Sequence, residues 1–207
     1  MVAPLYLSIW IPHIDVACNK RIMVVKIISG GQTGADEAAL AAAKSLGLAT
    51  GGTVPAGWLS DHHHRRPSLK QYDLHELPSM PIRQALVRRS CINVDDADGT
   101  LVFRLRPSPG TDGTINYCRT GRWKPSASSS RPSGASHAHI PRPLFIVTEL
   151  TDTQVINVNL WLRATGLKVL NVAGHRETEG HSFTDQVRDF LVRVLSDPPI
   201  PNTIQSQ

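Results

Sequence analysis

Ser29-Gly30-Gly31-Gln32-Thr33-Gly34-Ala35-Asp36 is the stretch on which the fold turns. Before it, Met23–Ser29 (MVVKIIS) is a nearly continuous apolar run, the pattern of a strand covered on both faces. After it, Asp36–Leu46 sets Ala38, Ala39, Leu40, Ala42, Ala43 and Leu46 at helical spacing, and Gly47 can cap the end. Strand, glycine loop and helix form the opening half of a βαβ unit. The first turn of such a helix offers unpaired N–H groups and the positive end of the helix dipole. Glycines let a phosphate or similar oxyanion approach the backbone. Ser29, Gly30, Gly31, Gln32, Thr33, Gly34 and Asp36 are therefore candidate ligand-binding residues. The plain alternative is a tight strand-to-helix turn without a ligand.

Two familiar phosphate loops are excluded. G-x-G-x-x-G is absent, and Gly51-Gly52-Thr53 stands where a dinucleotide site needs its acidic residue. No Gly-Lys-Ser/Thr follows the glycines, so the loop is not a P-loop either.

Working outward, the chain keeps alternating strand and helix patterns. Thr50–Val54 reads as a short strand, Pro55–Pro81 as a long polar loop, and Ile82–Ser90 as a helix. Thr100–Arg104 reads as a buried strand and Thr111–Cys118 as a helix. Leu144–Val147 is a strand, followed by a helix from the Thr151/Gln154 capping box to Thr165. Lys168–Val172 is a strand, and Ser182/Asp185 opens a last amphipathic helix over 183–195. This pattern predicts an α/β, Rossmann-like domain: three layers, a mostly parallel sheet with helices on both faces.

The expected organisation is one domain over 23–197. Residues 1–22 read as a loosely ordered extension, Trp123–Pro143 as a flexible Ser/Pro-rich insertion, and 198–207 as a disordered tail.

Two further loops follow strands and open helices. Gly110, Thr111, Asp112, Gly113 and Thr114 form one; Asn171, Gly174 and Arg176 mark the other. In a doubly wound sheet such loops meet over one crevice. Arg176 presents a donor fork suited to an oxyanion, with Glu177 as its simple ion-pair partner. Asp95, Asp96 and Asp98 do not frame a calcium loop, because Val94 and Leu105 occupy ligand positions; they could line the crevice mouth. His62–His64 reads as a polar loop rather than a metal site. The pairs Arg65–Arg66 and Arg88–Arg89 read as solvated surface. No nucleophile elbow or Cys/His pair stands out, so no catalytic residue is assigned.

The 207 residues suit one substantial core. A net charge of +5 favours anionic ligands, but without a Lys/Arg run and with 5% aromatic residues it does not point to nucleic acid. No window reaches the roughly 20 apolar residues of a membrane span. The three cysteines, Cys18, Cys91 and Cys118, form no C-x-x-C pair and suggest a reducing, cytoplasmic setting.

These residues resemble a known family. Ile27–Asp36 with Ala38-Ala39-Leu40 is similar to the opening signature of the molybdenum carrier family, within the Rossmann-like group that includes the LOG (lysine decarboxylase-like) proteins. Gly51-Gly52 with Pro55-Ala56-Gly57, then Asn93-Val94 with Asp98-Gly99-Thr100, then Leu170–Gly174 with Arg176-Glu177, resemble its later blocks in order. The resemblance covers about 24–195 and implies an anionic, nucleotide-like ligand. Molybdenum cofactor (molybdopterin) is the named candidate, and a homo-oligomer is implied. The expected function is thus a binding or carrier protein, more than an enzyme. The alternatives are a LOG-like nucleoside monophosphate N-glycosidic hydrolase and a nucleotide-sensing module. Pro109–Thr114 resembles the P-G-G-x-G-T-x-x-E element of such hydrolases, but Tyr117 stands at the glutamate. The insertion, and His175 where a proline is expected, also depart from the family pattern.

Overall fold

The computed structural model describes residues 21–59, 66–123, 141–177 and 182–196. Residues 1–20 of the expected extension, 124–140 of the insertion, the 198–207 tail and His62–His64 lie outside the described residues. Five parallel strands form the main sheet: β1 (Lys26–Ile28), β2 (Ala49–Gly51), β5 (Gly99–Phe103), β6 (Leu144–Val147) and β7 (Val169–Gly174). Two short strands, β3 (Thr53–Val54) and β4 (His75–Glu76), pair separately, also in parallel. The helices are α1 (Ala35–Ser45), α2 (Ile82–Asp95), α3 (Pro109–Thr120), α4 (Asp152–Thr165) and α5 (Phe183–Leu195).

The main sheet runs β2-β1-β7-β5-β6. Counted with β7 first, the same row reads third, second, first, fourth, fifth. That is the order with which a doubly wound sheet begins. The last βα unit of the chain thus sits where the first unit of such a sheet would sit. At the carboxyl edge, Ile28 aligns with Gly51 and Asn171, and Phe103 aligns with Gly174 and Val147.

Strand alternation divides β5 between two layers. Leu101 and Phe103 join the main core with Ala38, Ala39, Ala42 and Ala43 of α1, Val155, Val158 and Leu162 of α4, and Val187, Phe190, Leu191 and Val194 of α5. The alanines have little side chain to hold α1 away from its neighbours, and fully burying the larger α5 residues is worth about 1.5–3 kcal/mol each. On the other side, Cys91 and Val94 of α2 pack with Tyr117 and Cys118 of α3. A third cluster joins Leu40 to Val54, Leu69 and Leu74.

The parallel three-layer architecture agrees with the sequence pattern, with local corrections. Thr50–Val54 is not one strand: Gly52, at φ +123°, breaks it, and a Cβ there would strike the Ser29 backbone. The Pro55–Pro81 loop holds two short 3-10 turns and β4. Helix α2 runs five residues past Ser90. Ile22, assigned to a loose extension, packs against the main core. Trp123, assigned to the flexible insertion, is half-buried and packs on α3 at Gly113. Among the described residues no helix is long and apolar enough to cross a membrane.

Candidate functional site

The loop after β7 leads to α5 on one face, and the loop after β5 leads to α3 on the other. Their divergence opens a crevice of about 820 Å³ at the carboxyl edge of the sheet. Such topological switch points are where ligands bind in open α/β sheets. All three predicted loops reach it: Gln32 and Asp36 from the first, Gly110–Thr114 from the second, Gly174 and Arg176 from the third.

The other predicted residues do not line it. Ser29 is fully buried and donates its hydroxyl to Val172 O at 2.8 Å. Asn171 is buried and donates to Thr100 Oγ1 at 3.3 Å, across the β5–β7 ladder. Gly30 lies under the Arg89 guanidinium, and Gly31 under Val54 and Leu69. Gly34, at φ +76°, lets its loop lie against the backbone of His175–Glu177; a Cβ would strike the His175 carbonyl oxygen. Thr33, half-buried, is not among the lining residues. The glycines of the first loop therefore serve close packing.

The three helix N-termini differ in what already occupies them. At α1, Ala35 N donates to His175 O (3.1 Å), Glu37 N to Gln32 O (3.0 Å) and Ala38 N to Gly34 O (3.0 Å). The Asp36 carboxylate stands beside them and accepts from Gln32 N at 3.2 Å. At α5, the expected Ser182 cap makes no side-chain cap bond. Glu177 caps instead, accepting from Phe183 N at 3.3 Å and Thr184 N at 2.6 Å. Glu177 is thus a helix cap, whatever else it meets. At α3, besides the first helical bond (Asp112 N to Ser108 O, 2.8 Å), the Ser108 hydroxyl is the one group of the described residues that reaches in, 3.5 Å from Thr111 N. Gly110, in the first turn of α3, is exposed, with open space where a Cβ would stand. The hydroxyls assigned to the ligand are turned inward: Thr111 Oγ1 donates to Ser108 Oγ (3.0 Å) and Thr114 Oγ1 to Gly110 O (3.2 Å).

Arginines dominate the crevice wall. Arg83, Arg89, Arg104, Arg119 and Arg176 line it, against Asp36 and Asp112. Both carboxylates are already paired. Arg89 Nη1 meets Asp36 Oδ2 at 2.8 Å. Arg104 grips Asp112 with Nε–Oδ1 at 2.5 Å and Nη2–Oδ2 at 3.3 Å, and that bond holds the Asp112 carboxyl below the usual carboxylate range. The solvated reading of the arginine pairs is overturned for two members. Arg89 is half-buried against Asp36, and Arg66 is half-buried between Gly31 O (3.1 Å) and Glu37 (2.6 Å).

His175 bridges the switch point: its Nε2 accepts from Leu105 N at 3.0 Å. Burial, then the nearby Arg106 and Arg104, keep its pKa low, so the ring is neutral with the proton on Nδ1. The sequence reading missed His175 and the arginines Arg83, Arg89, Arg104 and Arg119. One signal was available: Arg83, Leu86, Val87 and Ser90 all line the crevice and keep one helical stripe on α2.

Two placements bear on the alternatives. Tyr117, at the glutamate position of the hydrolase-like element, is fully buried and donates to Asp95 Oδ2 at 2.7 Å, away from the crevice. Asp98 is not at the crevice mouth. It accepts from Lys168 N and Val169 N at the amino edge of the sheet. Among the described residues no cluster of three or more His, Cys, Asp or Glu could hold a metal ion.

The model of the circularly permuted YpsA SLOG family matches residues 27–195, in keeping with the permuted strand order. No curated protein matches the chain. Among solved structures, that of "Putative molybdenum carrier protein" from Syntrophus aciditrophicus SB is similar, with a TM-score of 0.63 and 25% identity over 85% of this chain and 97% of that one.

Proposed function

This chain belongs to the circularly permuted YpsA SLOG family, and from its crevice we propose that it binds and carries a phosphorylated or oxyanionic small molecule without chemical change. One observation carries the reading. Of the three loop-borne helix N-termini, those of α1 and α5 are closed by the chain's own carbonyls and carboxylates, while α3 opens onto an arginine-rich wall. A helix N-terminus beside guanidinium groups suits an oxyanion. The molybdenum carrier description of the similar solved structure makes a molybdenum-bearing ligand, molybdenum cofactor foremost, the first to try. The pterin phosphate of that cofactor would lie at Gly110–Thr111, with Arg104 and Arg176 beside it. The carrier reading is favoured over the hydrolase because Tyr117 brings no acid to the crevice.

The test is titration with molybdenum cofactor, tungstate and phosphate, followed through the fluorescence of Trp123 on the crevice wall. Saturable binding is expected, weakened at least about tenfold in the Arg104→Met/Arg176→Met double variant, since charged hydrogen bonds contribute about 1.5–3 kcal/mol each. Absence of binding, or equal binding by the folded double variant, refutes the proposal.

A further inference from the structure

Three residues of the crevice wall carry a buried polar atom without a partner among the described residues: Gln32 Oε1, an acceptor, and two donors, Arg89 Nε and His175 Nδ1. Gln32 is only 4% exposed. Gln32 and Arg89 are tied to one point, because Asp36 Oδ2 accepts both from Gln32 N (3.2 Å) and from Arg89 Nη1 (2.8 Å). Buried polar groups are normally paired, and an orphan acceptor and an orphan donor on two residues tied to one carboxylate ask for a ligand that carries the complementary pair.

We infer that this wall recognises the lactam edge of an oxo-substituted nitrogen heterocycle. The ring N–H donates to Gln32 Oε1, and the adjacent ring carbonyl accepts from Arg89 Nε–H. The inference rests on the oxyanion reading above and deepens it: the phosphate lies at α3 and the ring at the Gln32–Arg89 wall. A guanine nucleotide and a phosphorylated pterin both carry this edge. Adenine lacks it, having no ring carbonyl and no ring N–H beside one. Discrimination is strongest where a site's own polar groups are left unpaired by the wrong ligand.

Titration calorimetry of the full chain with GMP, AMP, a pterin and inorganic phosphate tests this. GMP is expected to bind at least about tenfold tighter than AMP, the factor that one lost hydrogen bond between neutral groups represents. Comparing the pterin with GMP identifies the preferred ring. Gln32→Met removes the acceptor at similar volume. Arg89→Lys keeps the cation beside Asp36 and removes Nε–H. Each variant should bring GMP to the level of AMP, so that the ratio of the two affinities falls to about one. The melting temperature of unliganded Gln32→Met should equal or exceed that of the parent, because an unpaired buried acceptor is gone. AMP binding as tightly as GMP, or Gln32→Met weakening both equally, overturns the lactam wall while leaving the oxyanion site standing. Failure of phosphate and both nucleotides to bind overturns the oxyanion reading and this one with it.

Discussion

Glu177→Ala tests the assignment of the three helix N-termini most directly. In the parent, the Glu177 carboxylate accepts from Phe183 N and Thr184 N, the latter at 2.6 Å. Losing a helix cap costs about 0.5–2 kcal/mol. Removing a carboxylate from the positive end of a helix costs a further ~0.3–1 kcal/mol. The loss should propagate, because α5 carries Val187, Phe190, Leu191 and Val194 in the main core and Phe183 stacks near His175, ring centroids 5.2 Å apart. A total of about 1–3 kcal/mol corresponds to a fall in melting temperature of roughly 2–12 °C for a chain of this size. Glu177→Gln keeps an acceptor oxygen but no charge and should lose under half as much. The variant also vacates an anion position. Sulfate should therefore raise the melting temperature of Glu177→Ala by more than it raises that of the parent. Thermal denaturation by circular dichroism, in sulfate and in chloride of matched ionic strength, reads both effects. A Glu177→Ala protein melting within about 1 °C of the parent, or gaining no extra stability from sulfate, would refute the capping argument.

Three other perturbations follow from the same contacts. Gly34→Ala sets a Cβ against the His175 backbone at a positive φ and should cost at least about 3 kcal/mol in urea unfolding, combining left-handed strain with a backbone clash; parent-like stability would contradict the loop-on-loop packing. His175 has a folded pKa lowered by burial, so its neutral form supports the fold above the unfolded value of about 6.5 and that support fades as pH falls below it; His175→Asn should flatten the melting profile between pH 7.5 and 5.5. Asp98, lowered chiefly by the Val169 N–H bond, contributes above its ordinary value of 3.8 and loses that contribution as pH falls below it; Asp98→Asn should leave acid unfolding less steep, and an unchanged acid limb would count against it.

The layers and the strand order were legible to different degrees. Apolar runs such as Leu144–Val147 and the alanine face of α1 carry their own periodicity, so strands and helices could be read locally. The place of β7 between β1 and β5 could not, because pairing of strands distant in sequence leaves no local pattern. The site shows the same division. Glycines in a strand–loop–helix context correctly marked the loops that converge on the crevice. They could not reveal that Gly30 makes room for Arg89, Gly31 for Val54 and Leu69, and Gly34 for His175. Glycine permits close approach equally to a phosphate or to the chain's own atoms, and only tertiary structure tells which. Arg89 reads as solvated surface in the sequence for a related reason. A basic pair on a helix is usually solvated, and what holds Arg89 against the crevice wall is Asp36, more than fifty residues away.

The permuted order explains why the rearranged chain can keep its crevice intact. In a parallel sheet every βα loop lies at the carboxyl edge and every return to the next strand lies at the amino edge. Helix α5 runs back from the crevice, so its last turn at Leu195 and the start of β1 at Lys26 both lie at the amino edge. Joining or separating the chain there changes no loop of the crevice: Gln32, Asp36, Asp112, Gly174 and Arg176 would still meet at the same switch point. What the permutation does change is the order in which the site can assemble. His175 and Glu177, which lock the first loop and cap α5, belong to the last βα unit in the sequence. The contact of Ala35 N with His175 O spans nearly the whole described chain. Closing so long a loop is entropically costly, so the crevice should be among the last features to form. Pulse-labelled hydrogen exchange during refolding should show the amides of α3 protected before that of Ala35, whose partner His175 is distant in sequence. Protection of Ala35 first would sink the argument.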